Sequence, residues 1–211
     1  MISVLLVPDA ATPLVILPLA VQLGVAEAGV SGQVVKCSNS KEEAMAEAGI
    51  AVLKPGQLDD SSAVVGGTTW MFCREELADQ FDLLVVDEAG QVSLVQALAA
   101  SRAASNVILV GDPQQLEQPQ QGSHPEGADV AALQHVIGDS ETVADDRGLF
   151  LDETRRMHPG ICAFTSEIYY EGRLKARDGL DVQVLTGVDP FNVGQLFYVP
   201  VEHTANQNRS P

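Results

Sequence analysis

The sequence predicts an α/β fold built around a parallel sheet, and three short apolar runs support that prediction. The runs "AVVGGTT" (63–69), "FDLLVVDE" (81–88) and "NVILVGD" (106–112) are rich in β-branched residues, as are strands that a parallel sheet buries on both faces. Between the second and third runs, "VSLVQALAASRAA" is helical in pattern. Its apolar face is formed by Val92, Val95, Leu98 and Ala99. A strand, a crossover helix and a parallel strand therefore follow one another.

Further elements are predicted on both sides of this unit. Upstream, Ser40 is placed as a helix N-cap with Glu43 at the capping-box spacing and Gly49 as the stop signal. Downstream, "GADVAALQHVIGD" predicts a helix and "GLFLDE" (148–153) a strand. The last helix, "HPGICAFTSEIYYEG", has Pro159 in its first turn and Gly172 just past its end.

After Leu174 the composition changes, which indicates a second domain that begins in this chain. The segment is rich in Gly and Asp and contains one strand-like run, "QLFYVPV". It then ends in the polar "HTANQNRSP".

Composition restricts the classes of function. With 211 residues and 45% hydrophobic content, the chain can bury one substantial core, or one core and part of another. The formal net charge of -17 disfavours a protein that binds nucleic acid or acidic membranes by its overall charge. Five of the twelve basic residues fall between 155 and 177, so any contact with nucleic acid is expected to be local.

The cysteines and the amino-terminal segment predict a cytoplasmic protein. Cys37, Cys73 and Cys162 are far apart in sequence, so we expect reduced, mostly buried thiols and no zinc site or disulfide framework. The first 26 residues contain three prolines and no Lys or Arg. Neither a signal peptide nor a membrane-spanning helix is predicted there.

Carboxylates follow two of the predicted strands. Asp87 and Glu88 end one strand and Asp112 ends the next, and parallel α/β sheets bind ligands at the carboxyl ends of their strands. An Asp at such a place can hold the water shell of Mg²⁺, and an adjacent Glu can polarise a water for attack on a γ-phosphate. The alternative is a solvated turn or a helix cap.

Three motifs in a fixed order extend this pattern: "DEAGQ", then "VGDPQQLEQP", then "ETRRMHPGICAFTSEIYYEGRL". With them the chain resembles the superfamily 1 helicases of the DEA-x-Q branch, in particular the helicase domains fused to RecB-like nucleases. The resemblance covers residues 34–211 and implies a RecA-like P-loop NTPase core. It implies a first RecA-like domain at 34–177 and the start of a second at 178–211, with 1–33 unassigned.

The resemblance also implies roles for individual residues. Asp87 would bind the Mg²⁺ of MgATP, with Asp112 beside it, and Glu88 would activate the hydrolytic water. Gln115 would sense the γ-phosphate, the alternative being a surface glutamine in a turn. Arg156 would contact the γ-phosphate as a planar bidentate cation, the alternative being a surface arginine at a helix start.

Two further matches concern base and backbone contacts. Arg155 stands where the family usually has an aromatic residue that stacks on adenine, and a guanidinium can also stack on a purine. Thr68 and Thr69, with Trp70, match the motif that contacts the backbone of a single strand. A strand end with Trp70 in the core is the alternative.

The phosphate-binding motif G-x-x-x-x-G-K-[ST] is absent from the 211 residues. We therefore expect the middle part of an ATP-dependent helicase acting on single-stranded or duplex DNA, less favourably RNA, and inactive by itself. A degenerate, non-catalytic interaction module is the competing hypothesis. A third hypothesis is the helicase part of a helicase–nuclease fusion.

Overall fold

The computed structural model of the chain describes residues 4–6, 33–37, 50–59, 61–115, 125, 128, 130–184, 187, 196–198 and 200. They belong to two compact units, Met1–Asp139 and Ser140–Pro211. The predicted helix from Ser40 to Gly49 lies outside the described residues.

The first unit is built on a parallel sheet, which confirms the predicted α/β class. Six strands lie in the order β3-β2-β4-β1-β5-β6, and every described pair of neighbours is parallel. The strands are β1 (Val4–Leu6), β2 (Gln33–Cys37), β3 (Ala51–Leu53), β4 (Ser62–Gly67), β5 (Phe81–Val86) and β6 (Ala104–Leu109).

Strand β1 comes from a segment to which the sequence motifs assign no role. It lies between β4 and β5, where Leu6 is in register with Gly67 on one side and with Val86 on the other. Residues 4–6 therefore complete the centre of the sheet.

The core of this unit lies on and around β4 and β5. Val65, Leu84 and Val86 are fully buried, and each large apolar side chain removed from water contributes roughly 1.5–3 kcal/mol. Phe72 packs edge-on against Phe81, with ring centroids 5.9 Å apart, which is a preferred aromatic geometry.

The described helices of the first unit are α1 (Thr69–Phe72), α2 (Leu94–Ser101) and α3 (Ala132–Ile137). Short 3-10 helices occupy Pro55–Gln57 and Glu75–Leu77. Helix α2 begins at its N-cap Ser93, whose hydroxyl accepts a hydrogen bond from the N–H of Gln96. That cap satisfies one of the free donors of the first turn.

The predicted buried face of α2 is wrong. Val95 is 53% and Leu98 60% exposed, and Ala97 and Ala100 are the buried residues of the helix. The helix begins after its N-cap Ser93, so Val92, which is buried, lies before the helix and not on its face. Small side chains on the inner face allow the helix to lie close to its neighbours, so the larger residues point outward.

The predicted burial of β6 on both faces is also wrong. Most of its residues are exposed, including Val107 and Ile108. Strand β6 is the last strand of the sheet on its side among the described residues, so it has a described neighbour only in β5.

The second unit contains the long helix that the sequence predicts. Helix α4 (Pro159–Tyr169) has Pro159 at its first position, and Gly172 follows it with a φ of 71°. The N-cap is His158, whose Nδ1 accepts a hydrogen bond from the N–H of Gly160 at 3.0 Å. A positive φ is a conformation that glycine adopts without steric cost, so the predicted helix stop is confirmed.

The predicted strand at 148–153 is wrong except at its last residue, Glu153, which is in a strand. The strands of this unit within the described residues are β7 (Glu153–Thr154) and β8 (Lys175–Ala176), which pair in parallel, and Leu180–Val182 forms a 3-10 helix. Leu149 is 83% and Leu151 72% exposed, and of this run only Glu153 is paired with another strand, at Lys175 of β8. The strand-like run near the carboxyl terminus is described only at 196–198 and 200, and those residues are not in a strand.

Candidate functional site

The carboxyl ends of β4, β5 and β6 lie at one edge of the sheet. The register aligns Gly67 with Leu6, Leu6 with Val86, and Val86 with Leu109. The segments that begin at Thr68, Asp87 and Val110 therefore all leave the sheet at the same edge. In parallel α/β sheets this edge is the usual place for a ligand.

The turn after β5 carries the first two candidate residues. Asp87 is half-buried, and its Oδ1 accepts a hydrogen bond from the N–H of Glu88 at 3.0 Å. Glu88 is half-buried and has a φ of 53°, a left-handed conformation that is uncommon for a residue other than glycine. The N–H of Gln91 closes the turn on the carbonyl of Glu88 at 2.8 Å.

The turn after β5 and the loop after β6 are joined through their backbones. The N–H of Val110 donates to the carbonyl of Val86 at 2.8 Å, and the N–H of Ala89 donates to the carbonyl of Val110 at 2.9 Å. Two glycines permit this approach. A Cβ on Gly90 would overlap the carbonyl oxygen of Asp112, and a Cβ on Gly111 would lie 2.8 Å from the nitrogen of Ala89.

The loop after β6 places Asp112 and Gln115 beside this turn. Oδ1 of Asp112 accepts a hydrogen bond from the N–H of Gln114 at 2.9 Å, so the loop begins with an Asx turn. Oε1 of Gln115 accepts a hydrogen bond from Nε2 of Gln91 at 3.0 Å. The structure thus brings together Asp87, Glu88, Asp112 and Gln115.

Gln91 is the residue of this site that the sequence reasoning missed. It ends the "DEAGQ" motif, four residues after Asp87, and the motif assigned it no role. The four-residue spacing between Asp87 and Gln91 can be read from the sequence. The contact of Gln91 with Gln115, 24 positions further along the chain, depends on the close approach of the two loops.

Helix α3 supports the turn after β5 from the other side. The N–H of Leu133 donates to the carbonyl of Ala89 at 3.2 Å, and the N–H of Ala132 donates to the carbonyl of Val92 at 2.8 Å. Ala89 is fully buried. The backbone around Asp87 and Glu88 is therefore held at several points, as a site that positions reacting groups requires.

At the end of β4, the three residues of the predicted nucleic-acid motif differ in exposure. Trp70 is 64% exposed, so the alternative in which it belongs to the core is wrong. Thr68 is half-buried and is the N-cap of α1, but its side chain makes no capping hydrogen bond. Thr69 is buried, so its hydroxyl is less accessible to a phosphate than that of Thr68.

The predicted arginines lie in the second unit. Nε of Arg155 is 3.7 Å from Oε1 of Glu153, an exposed ion pair. Arg156 is exposed, and its N–H donates to Oγ1 of Thr154 at 3.3 Å. Within the described residues, the Arg156 guanidinium has no ion-pair partner.

Part of the basic stretch between 155 and 177 is structural. The Arg173 guanidinium lies 4.5 Å from the ring centroid of Phe150, and its Nη1 donates to Oγ1 of Thr142 at 2.8 Å. The hydroxyl of Thr142 in turn donates to Glu171 at 2.7 Å. Nζ of Lys175 lies 3.9 Å from Oδ2 of Asp152. Arg173 therefore stabilises the fold of this unit through a cation–π contact and hydrogen bonds.

The three cysteines are free thiols in the structure. Cys37 and Cys162 are buried and Cys73 is half-buried. Burial raises the pKa of the Cys37 thiol to about 11, although the charge of Arg74 acts in the opposite direction. Among the described residues, no group of three or more His, Cys, Asp or Glu side chains is arranged to hold a metal ion. In the same part of the chain, every helix is too short or too polar to cross a membrane.

Comparison with known proteins identifies the segment that contains this site. Residues 34–118 match the family model of an AAA domain. The chain is 33% identical over 107 residues to Helicase SEN1 of Saccharomyces cerevisiae, an alignment that covers 49% of this chain and 4% of the yeast protein. It is 32% identical over 97 residues to 5'-3' DNA helicase ZGRF1 of Mus musculus, covering 45% of this chain and 5% of the mouse protein.

Residues 34–118 are therefore similar to an AAA domain, and the chain is similar in part to two proteins named as helicases. The matched segment includes β4, β5 and β6 and the candidate residues from Thr68 to Gln115. Arg155 and Arg156 lie beyond the matched segment. The chain spans about a twentieth of the length of these two relatives.

Proposed function

We propose that this chain contributes the hydrolytic residues of an ATP-driven motor, a superfamily 1 helicase that moves along or unwinds DNA. One observation carries the proposal: Asp87, Glu88, Asp112 and Gln115 meet on two loops joined through their backbones at the carboxyl edge of a parallel sheet. The matched AAA domain and the helicase relatives favour the same chemistry.

The donor set suits magnesium. Carboxylate oxygens are the protein ligands that Mg²⁺ prefers, and Asp87 is half-buried with only its Oδ1 engaged in a hydrogen bond among the described residues. In this proposal Asp87 binds the ion and Asp112 lies beside it. When bound with ATP, Mg²⁺ would neutralise charge on the phosphates.

Glu88 would orient and deprotonate the attacking water. Its backbone has a left-handed conformation beside Asp87 and is held by the N–H of Gln91, and strained backbone of this kind is concentrated at functional sites. Gln115 would donate a hydrogen bond to the γ-phosphate. Arg156, whose guanidinium has no ion-pair partner in the described part of the chain, would offset negative charge in the transition state.

The nucleic acid would contact the end of β4. The hydroxyl of Thr68 suits a phosphate oxygen, while Thr69 would support the loop from its buried position. DNA is favoured over RNA because one relative is named as a 5'-3' DNA helicase. We also propose a cytoplasmic protein, in which 34–177 is the first RecA-like domain and 178–211 the start of a second. Arg155 would stack on the adenine, and a fused nuclease domain would be a partner of this motor.

The test is ATP turnover by the whole motor protein to which this chain is proposed to belong, because the 211 residues lack the motif G-x-x-x-x-G-K-[ST] and are expected to be inactive by themselves. Turnover is measured with and without single-stranded DNA and Mg²⁺. We expect Mg²⁺-dependent turnover that DNA stimulates, and saturable binding of a fluorescent ATP analogue that Asp87→Ala abolishes. A wild-type protein that neither binds the analogue nor hydrolyses ATP would contradict the proposal and favour a non-catalytic interaction module.

Glu88→Gln separates catalysis from binding. The amide keeps the size of the side chain but cannot take a proton, so turnover should fall by about a hundredfold or more. Binding of the ATP analogue should change little. Glu75→Gln, an exposed residue of the same unit, is the matched control and should behave as wild type. Normal turnover in Glu88→Gln would exclude Glu88 as the catalytic base.

A further inference from the structure

The side chains of Gln91 and Gln115 form a defined pair across the two loops of the site. Nε2 of Gln91 donates to Oε1 of Gln115 at 3.0 Å. Gln91 is half-buried, and its own turn is fixed by its backbone hydrogen bond to Glu88 and by the packing of Gly90 on Asp112. Gln91 therefore has a fixed base from which to hold Gln115.

The direction of this hydrogen bond decides what Gln115 can offer to a ligand. A glutamine amide has one oxygen that accepts and one nitrogen that donates, on opposite branches of the planar group. Because Gln91 occupies the oxygen, the nitrogen is the branch left for a ligand, and within the described residues it has no hydrogen-bond partner. Phosphate oxygens only accept hydrogen bonds, so the nitrogen is also the branch that a phosphate requires.

We propose that Gln91 is a positioning residue, which fixes the amide of Gln115 with its Nε2 available to the γ-phosphate of a nucleoside triphosphate. This inference rests on the proposed role of Gln115 in nucleotide binding. It adds that discrimination between triphosphate and diphosphate depends on a residue that does not itself contact the nucleotide.

Two substitutions of Gln91, with one control, separate the effect of the hydrogen-bond direction from the effect of side-chain shape. Gln91→Met keeps the length of the side chain but can no longer donate. Gln91→Glu can only accept, so it draws Nε2 of Gln115 toward itself and leaves Oε1 facing the phosphate. Gln96→Met is the matched control, because Gln96 lies on α2, outside both loops.

The measurement is the affinity for a slowly hydrolysed ATP analogue compared with the affinity for ADP. Loss of a neutral hydrogen bond that holds Gln115 should lower the affinity for the analogue by about two- to tenfold in Gln91→Met. Reversal of the amide should lower it by about tenfold or more in Gln91→Glu, because a hydrogen bond to a charged phosphate is lost. Affinity for ADP should be nearly unchanged, since ADP has no γ-phosphate.

A double-mutant cycle removes the effect of the added charge. In a Gln115→Met background, Gln91→Glu can change the affinity for the analogue only through its charge. The loss of affinity that Gln91→Glu causes when Gln115 is present, divided by the loss it causes in this background, therefore measures the reversal of the Gln115 amide. A ratio below two would overturn the inference. Equal losses for the analogue and ADP would also overturn it, because they would indicate a merely structural role for Gln91.

A measurement without nucleotide tests the pair directly. The side-chain amide resonances of Gln115, assigned by their loss in Gln115→Met, should shift in Gln91→Met while backbone resonances away from the loops stay unchanged. Unshifted resonances would show that the pair does not form and would overturn the inference. If they shift but the wild type does not distinguish the analogue from ADP, the proposed function fails and the inference fails with it.

Discussion

At the scale of single residues, Arg155 and Arg156 are neighbours in sequence but differ in what their guanidinium groups contact. Arg155 pairs with Glu153, whereas Arg156 has no ion-pair partner among the described residues. A planar guanidinium without an internal partner can bind a phosphate bidentately without first breaking another contact.

Arg156→Ala should therefore reduce the rate of ATP turnover by roughly 10³ if Arg156 stabilises the transition state. Arg155→Ala is the control and should leave the maximal rate within about tenfold, because its proposed contact is with the base. Steady-state kinetics with ATP would measure both. If the rate of ATP turnover falls by less than tenfold in Arg156→Ala, Arg156 is a surface arginine without a role in the transition state.

The location of the candidate residues in the fold was more predictable than their exposure. Asp87, Glu88 and Asp112 could be placed at one edge of the sheet from the sequence, because residues that follow parallel strands lie there, whereas Gln115 was implied by the family resemblance. The stretch "GGTTW" does not reveal that Trp70 is exposed and Thr69 buried. A four-residue helix begins there, and its phase decides which side chains face inward. Gln91 was hidden for a similar reason, because its partner is 24 residues away.

At the scale of elements, the two loops of the site depend on glycines that allow backbone to touch backbone. A Cβ on Gly90 would overlap the carbonyl oxygen of Asp112, and neither side can yield without breaking the hydrogen bonds between Ala89 and Val110 and between Val110 and Val86.

Gly90→Ala should destabilise the protein by about 1–3 kcal/mol, the usual range for overpacking. It should also separate the two loops and weaken nucleotide binding. Gly56→Ala is the matched control, because nothing lies within 4 Å of a Cβ at that position. Thermal unfolding followed by circular dichroism would measure both variants. Equal melting temperatures for wild type and Gly90→Ala would show that the loops do not pack as described.

The elements that the sequence predicted correctly have strong local signals. Helix α4 has a proline at its first position and a glycine after its end, and β5 ends where the carboxylates begin. The elements that it missed depend on distant partners. Strand β1 is three residues whose two neighbours, β4 and β5, are far along the chain. Of the run at 148–153, only Glu153 pairs with a described strand, at Lys175.

At the scale of the whole molecule, β6 is an edge strand of the sheet among the described residues, and an exposed edge strand favours association between copies. It has no charged or proline residue in "ASNVIL", and Val107 and Ile108 are exposed. Natural proteins protect edge strands with charges, prolines or covering elements. The net charge of -17 opposes association between copies, but salt screens it beyond about 8 Å at physiological ionic strength.

We therefore expect the purified chain to associate reversibly, more strongly at high salt than at low salt, and Ile108→Lys to suppress this association. Ile108 is 47% exposed on β6, so a lysine there can reach water while its charge opposes edge-to-edge pairing. Leu149→Lys is the control, because Leu149 is exposed outside any strand and its substitution should leave association unchanged. Sedimentation velocity at several protein concentrations would measure both variants at each salt concentration. Equal suppression of association by the two lysine substitutions would assign the effect to net charge rather than to the edge of β6. A wild-type chain that stays monomeric at high salt would show that this edge is protected.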